Sequence, residues 1–152
     1  PAAIVLHLCD THPQGKLAPA PGTVDRAHFS KWLLWCSNTL QPTLSAYFYP
    51  ERSVRGGNAE GAAEVKAGAQ EKIGGRVDQL DALVAANGGP WVLGREFSAL
   101  DAYVFTLCRW TRNFDGPKAR DRRHLGPYLQ RVSERPAVQR VFAAEKVSAP
   151  LF

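Results

Sequence analysis

The chain has 152 residues, of which 45% are hydrophobic and 22% are charged, with a net charge of +5 and a pI near 9.4. This length supports one hydrophobic core, and no apolar run is long enough to span a membrane, so we expect one globular domain. The basic residues do not form a low-complexity arm, which argues against nucleic-acid binding. Three cysteines lie far apart without metal-ligand spacing and predict reduced thiols in a cytoplasmic protein without a metal.

The first part of the chain predicts a short helix, a linker and a long helix. Apolar residues from Ala2 to Cys9 recur at helical spacing, and residues 14–22, QGKLAPAPG, are rich in proline and glycine. Thr23 or Asp25 then caps a helix, and Pro42 is expected to kink or interrupt it. The apolar stripe of this helix consists of Phe29, Trp32, Leu33, Cys36 and Leu40.

Two further helices are predicted from apolar spacing. One carries Ile73, Val77, Leu80 and Val84 and ends at the sequence Asn-Gly-Gly-Pro, which is a helix stop signal. The last helix begins at Pro136, a residue favoured in the first turn. Its inward-facing residues are expected to be Val138, Val141 and Phe142.

Ser98 and Asp101 form a predicted capping box at the start of another helix. The Asp101 carboxylate is expected to accept from the Ser98 backbone N–H, and the Ser98 hydroxyl from the Asp101 N–H. The residues after the box are apolar on nearly every side, which indicates a helix at the centre of a bundle. No Gly-x-Ser-x-Gly sequence accompanies Ser98, so capping is favoured over a hydrolase triad.

The sequence WVLGREFSALDAYVFTLCRW, residues 91–110, resembles the loop and capped core helix of the glutathione transferase C-terminal domain. The sequence ERPAVQRVFAAE, residues 134–145, is similar to the last helices of that domain. The resemblance is to bacterial glutathione transferases and extends from about Ala2 to Ala144. It implies an all-α bundle of five to six helices around a buried capped helix.

The resemblance also implies a domain organisation. Residues 1–13 correspond to the last helix of a thioredoxin-like domain, residues 14–22 to the linker, and residues 23–152 to the helical domain. In the family that last helix begins with Glu-Ser-x-Ala-Ile, whose Glu and Ser hold the γ-glutamyl group of glutathione. Here Ala3 and Ile4 match its end, but Pro1 stands at the Ser position.

The residues implied to bind the electrophile are Trp35, Asn38, Gln41, Tyr103, Trp110 and Phe114. Bacterial relatives commonly carry His-Lys where this chain has Gln41-Pro42, so a polar Gln41 would orient a substrate without contributing charge. The alternative is that most of the six are core or interface residues, because large apolar side chains are often simply buried. No catalytic residue is assigned, since the thiolate-stabilising residue of the family belongs to the thioredoxin-like domain.

The function implied is the electrophile-binding half of a glutathione transferase that conjugates glutathione to apolar electrophiles in detoxification. Glutathione is the co-substrate, no other cofactor is expected, and the intact enzyme would be a cytoplasmic homodimer. The chain alone is expected to be inactive. The alternative is a non-catalytic helical module that binds another protein or a small ligand. The basic residues between Arg109 and Arg131 are interpreted as a solvated face, with an anion-binding role less favoured.

Overall fold

A computed structural model describes all 152 residues, and they fold into α-helices without a β-strand. The helices are α1 (Ala2–Thr11), α2 (Val24–Trp35), α3 (Gln41–Phe48), α4 (Ala59–Ala86), α5 (Ala99–Arg109), α6 (Leu125–Ser133) and α7 (Pro136–Ala144). Six of them follow the linker, which confirms the all-α class. None is both long and apolar enough to cross a membrane.

α2 and α3 are joined without a break by a π-helical turn, Cys36–Leu40. Pro42 has no N–H to donate, and its ring would clash with the carbonyl four residues earlier in a regular α-helix. The wider turn relieves this conflict, because the Gln41 N–H bonds to the Cys36 carbonyl five residues back. The expected interruption at Pro42 is therefore a widened turn that carries the helix onward.

α5 lies at the centre of the bundle, where it packs against α2, the π-helical turn and α6. Leu100, Val104 and Leu107 are fully buried, in agreement with the central position predicted for this helix. One side of α5 is more open than expected, because Ala102 and Thr106 are exposed toward α1. The linker is attached to the start of α5, where the Ala99 N–H donates to the Leu17 carbonyl at 2.8 Å.

The ends of three helices follow from their sequences. Thr23 caps α2 by accepting from the Arg26 N–H at 3.1 Å, which settles the choice between Thr23 and Asp25. α4 ends at Ala86, and Gly88 two residues later has a φ of +61°, the left-handed conformation that glycine adopts most easily. α7 begins at Pro136 as predicted. Val141 on α7 was wrongly predicted to face inward, since it is 55% exposed and only Phe142 of this helix is buried.

Candidate functional site

One of several depressions on the surface runs along one face of α3, and we call it the α3 cleft. Its volume is about 400 Å³. Its lining consists of Pro1, Ser37, Gln41, Pro42, Ser45, Ala46, Tyr49, Arg52 and Ser53. Residues 37, 41, 45 and 49 follow one another at intervals of four, so the continuous α2–α3 helix places them on the same face.

Gln41 is held in the cleft by Tyr103 of α5. The Tyr103 hydroxyl donates to the Gln41 side-chain carbonyl, and the two residues lie 62 positions apart in the sequence. Partial burial raises the pKa of Tyr103, so its hydroxyl stays protonated and able to donate at neutral pH. The Gln41 amide NH₂ has no acceptor in the protein, and it is available to a ligand.

The far end of the cleft carries an aromatic residue and a cation. Tyr49, directly after α3, is 48% exposed, and the Arg52 guanidinium lies over its ring at 4.2 Å from the centroid. The preceding residue, Phe48, is 44% exposed and meets the Trp110 ring edge-on with centroids 6.4 Å apart. Aromatic surface therefore continues from the cleft around the end of α3.

The structure brings together some of the implied substrate-binding residues and separates others. Gln41 and Tyr103 are hydrogen-bonded to each other, and Trp110 and Phe114 both pack on Phe48. Phe114 is 4% exposed, so it supports this aromatic group from beneath.

Trp35 and Asn38 lie outside the cleft. Trp35 packs edge-on against Trp32 at 5.4 Å, and Asn38 is exposed without a side-chain hydrogen bond to the protein. Neither residue belongs to the lining of the cleft. Their assignment to substrate binding thus remains a prediction from resemblance.

Sequence reasoning did not single out Ser37, Ser45, Tyr49 or Arg52 as ligand-facing. The four-residue spacing from Ser37 through Gln41 and Ser45 to Tyr49 was visible and could have identified the first three. Arg52 could not be found in this way. It lies in the short 3₁₀ turn Pro50–Ser53, where helical spacing no longer determines direction.

At the start of α5 the fully buried Asp101 carboxylate closes the predicted box on the Ser98 N–H, but the Asp101 N–H donates to the Ser98 backbone carbonyl at 3.1 Å and not to the Ser98 hydroxyl. The carboxylate accepts from the Ser98 N–H at 2.8 Å and from the Ser98 hydroxyl at 3.0 Å. It also accepts from the Val92 N–H at 2.8 Å and from the Tyr128 hydroxyl at 3.0 Å. Burial raises the pKa of the Asp101 carboxyl, and these donors oppose that shift. The carboxylate is fully engaged in structure and faces no cleft.

A second depression, of about 510 Å³ and mostly apolar, lies between α1 and α5. We call it the α1–α5 groove. Val5, Leu8 and Leu17 line one side, and Ala102 and Thr106 line the other. No cluster of three histidine, cysteine or carboxylate side chains able to hold a metal ion is found in the chain.

Comparison with known proteins gives one family for this architecture. The family described as "Glutathione S-transferase, C-terminal domain" matches residues 40–145, which is well over half of the chain. The chain belongs to this family. The resemblance inferred from the capped helix and the terminal helices is confirmed.

Three similar proteins illustrate the relationships of this glutathione transferase domain. Glutathione S-transferase GstA of Escherichia coli O157:H7 is 25% identical over 147 residues, which are 94% of this chain and 65% of GstA. The ternary complex of BphK, a bacterial transferase, matches with a TM-score of 0.79 at 27% identity over 96% of this chain and 67% of BphK.

The third is a sphingomonad glutathione S-transferase in complex with glutathione. It has a TM-score of 0.77 and 26% identity, and the match covers 97% of this chain and 67% of the transferase. The chain thus spans about two thirds of the length of these relatives.

Proposed function

We propose that this chain is the electrophile-binding half of a glutathione S-transferase, and that the α3 cleft holds the electrophile. The observation that carries the proposal is the position of the cleft, which opens beside Pro1. In the family, the residue at that position contacts the γ-glutamyl group of glutathione. A ligand in the α3 cleft would therefore lie next to the bound thiol, as conjugation requires.

The cleft contributes by binding and orientation. Its aromatic residue Tyr49 offers a surface for a ring, and the free NH₂ of Gln41 can donate to an acceptor group on that ring. Holding the electrophilic carbon at one distance from the sulfur converts a bimolecular collision into a step within one complex. This arrangement leaves the activation of the thiol to residues outside the chain.

The α1–α5 groove supports the proposal that a thioredoxin-like domain precedes the helical domain. Ile4 and Leu8 of α1 are 65% and 52% exposed, although α1 is one of the more apolar helices of the chain. Ala2 is its only fully buried residue. An apolar face of this kind is stabilised when another domain covers it, and the same domain would supply the thiolate-stabilising residue. The homodimer, the cytoplasmic location and the role in detoxification are part of the same proposal and rest on the family.

A non-catalytic interaction module is the second candidate. The same open α1–α5 groove favours it, because an exposed apolar groove also suits a separate protein partner. The two candidates differ in what the native protein does with glutathione.

The test is an assay in which the conjugation of glutathione to 1-chloro-2,4-dinitrobenzene is monitored by absorbance. We expect the 152-residue chain to give only the uncatalysed rate, and the protein purified from its native source to give a faster, saturable rate. Catalysis by the chain alone would disprove the statement that thiol activation lies outside it. An inactive native protein across a panel of electrophiles would favour the interaction module.

A variant pair locates the electrophile in the active protein. Gln41→Leu should raise the KM for the electrophile and leave the KM for glutathione unchanged. Gln79→Leu is the control, since Gln79 is exposed on α4 outside the cleft. Equal effects of the two variants would show that the electrophile binds elsewhere.

A further inference from the structure

The α3 cleft is lined by positive charge without negative charge. Arg52 contributes a cation, and neither an aspartate nor a glutamate belongs to the lining. The two salt bridges of the chain join Arg26 to Asp10 and Arg122 to Asp78, so Arg52 has no carboxylate partner. A guanidinium without a partner beside a cleft is available to an anion in that cleft.

The direction of Arg52 is set by Tyr49 and by the backbone. The Arg52 N–H donates to the Tyr49 carbonyl at 3.1 Å, which closes the turn after α3. The guanidinium then lies over the Tyr49 ring, 4.2 Å from its centroid. This cation–π contact favours the observed orientation of the Arg52 side chain over other orientations. The ring and the cation thus lie together at one end of the cleft.

The rest of the polar lining offers donors. The Gln41 carbonyl is occupied by the Tyr103 hydroxyl, so Gln41 presents its NH₂ to the cleft. The Ser45 hydroxyl is exposed one turn further along and has no partner in the protein. A ligand that matches this lining carries acceptors toward Gln41 and a negative charge toward Arg52.

We propose that the α3 cleft selects aromatic electrophiles that carry a carboxylate, with Arg52 as the residue that determines this specificity. The two carboxylate oxygens face the planar fork of the guanidinium, and the ring of the ligand lies in the cleft beside the stacked Tyr49 and Arg52. This inference rests on the proposed function, and it changes the expected substrate class from neutral apolar compounds to aromatic acids.

The inference is tested by measuring dissociation constants of 3-nitrobenzoate and 3-nitrobenzamide for the 152-residue chain by titration calorimetry. The two probes have nearly the same shape, differ in charge, and do not react with thiols. We expect the benzoate to bind about fivefold more tightly, the effect of a partly exposed ion pair.

Variants distinguish the effect of Arg52 on binding from the effect of the other positive charges of the chain, including the amino group of Pro1. Arg52→Gln should abolish the preference for the benzoate and leave binding of the amide unchanged, and Arg52→Lys should retain part of it. Arg55→Gln is the matched control, because Arg55 is also exposed, lies three residues further on and does not line the cleft.

Each contrary result has a distinct meaning. If Arg52→Gln and Arg55→Gln reduced the preference for the benzoate equally, the inference would be overturned in favour of unspecific attraction to a basic chain. Equal affinity for the two probes would overturn it while the proposed function stands. Binding of neither probe would overturn both.

Glutathione also carries carboxylates, so it is titrated as a third probe. If Arg52→Gln weakened the binding of glutathione alone, Arg52 would be assigned to binding of the thiol substrate, and the inference would be overturned.

Discussion

Asp101 accepts hydrogen bonds from four donors although it is fully buried at the start of α5. Two of these donors belong to Ser98, whereas Val92 comes from the preceding loop and Tyr128 from α6. The carboxylate therefore ties three segments together. A buried carboxylate is tolerated only when its oxygens are satisfied in this way.

Removing the charge of Asp101 should destabilise the fold strongly. Asp101→Asn directs an amide NH₂ at a group of donors, and we expect a loss of about 3 kcal/mol in the free energy of unfolding. Ser98→Ala removes part of the cap and should cost about 1 kcal/mol. Urea denaturation measures both. Asp115→Asn, at an exposed residue without hydrogen bonds from its side chain, is the control and should change nothing. Equal stability of Asp101→Asn and the control would contradict this role.

The buried thiols predict how stability depends on pH. Burial raises the pKa of Cys36 to about 12, and burial also raises the pKa of Cys108. Since the folded pKa exceeds the unfolded value near 9.0, the stability that Cys36 contributes is complete below pH 9 and is lost as the pH rises toward 12.

Between pH 8 and pH 10, the free energy of unfolding measured with urea should therefore decrease less in Cys36→Ala than in the unaltered chain. An equal decrease would contradict the raised pKa. Labelling with a thiol reagent at pH 8 gives a second check, because only Cys9, which is half-buried, should react before unfolding.

At the scale of helices, α6 begins with a cap that comes from another helix. Asp81 of α4 accepts from the His124 and Leu125 N–H groups at 2.8 Å and 2.7 Å. These N–H groups have no partner within α6, and a carboxylate also complements the positive end of the helix. The contact spans 44 residues, so no local pattern in the sequence could reveal it.

Asp81→Ala should cost about 1–2 kcal/mol in the free energy of unfolding. Asp78→Ala, one turn earlier on α4, removes only the ion pair with Arg122 and should cost less than about 0.5 kcal/mol. Thermal unfolding of both variants tests this order. A larger effect of Asp78→Ala would mean that the ion pair, and not the cap, holds the segment before α6 against α4.

The bond between Tyr103 and Gln41 links α5 to α3 and can be measured by a double-mutant cycle. Tyr103→Phe should cost about 1 kcal/mol. In Gln41→Leu the Tyr103 hydroxyl loses its acceptor, so the double variant should be more stable than the sum of the single effects by about 1 kcal/mol. Additive effects in chemical denaturation would indicate that the bond is not formed in solution.

At the scale of the whole molecule, the elements that the sequence predicted are those with local signals. The Ser98–Asp101 box, the cap at Thr23 and the stop at Gly88 each follow from residues within a few positions of one another. Val141 was placed wrongly because α7 is a terminal helix with a single buried residue, so apolar spacing did not determine which side is covered.

The α3 cleft could be predicted only in part. The resemblance assigned Gln41 and Tyr103 to substrate binding. Gln41 lines the cleft, whereas Tyr103 lines the α1–α5 groove and reaches the cleft only through its hydrogen bond to Gln41. Trp35 and Asn38 lie close to Gln41 in sequence but do not line the cleft. The position of Arg52 depends on a turn after α3 and required the structure.

The most direct measurement of the central claim is a nuclear magnetic resonance titration of the ¹⁵N-labelled chain with S-(2,4-dinitrophenyl)glutathione, a stable conjugation product. We expect the shift changes to concentrate at Ser37, Gln41, Ser45, Tyr49 and Arg52, because these residues line the α3 cleft. Changes confined to the α1–α5 groove, or none at millimolar product, would contradict the assignment of the electrophile site to α3.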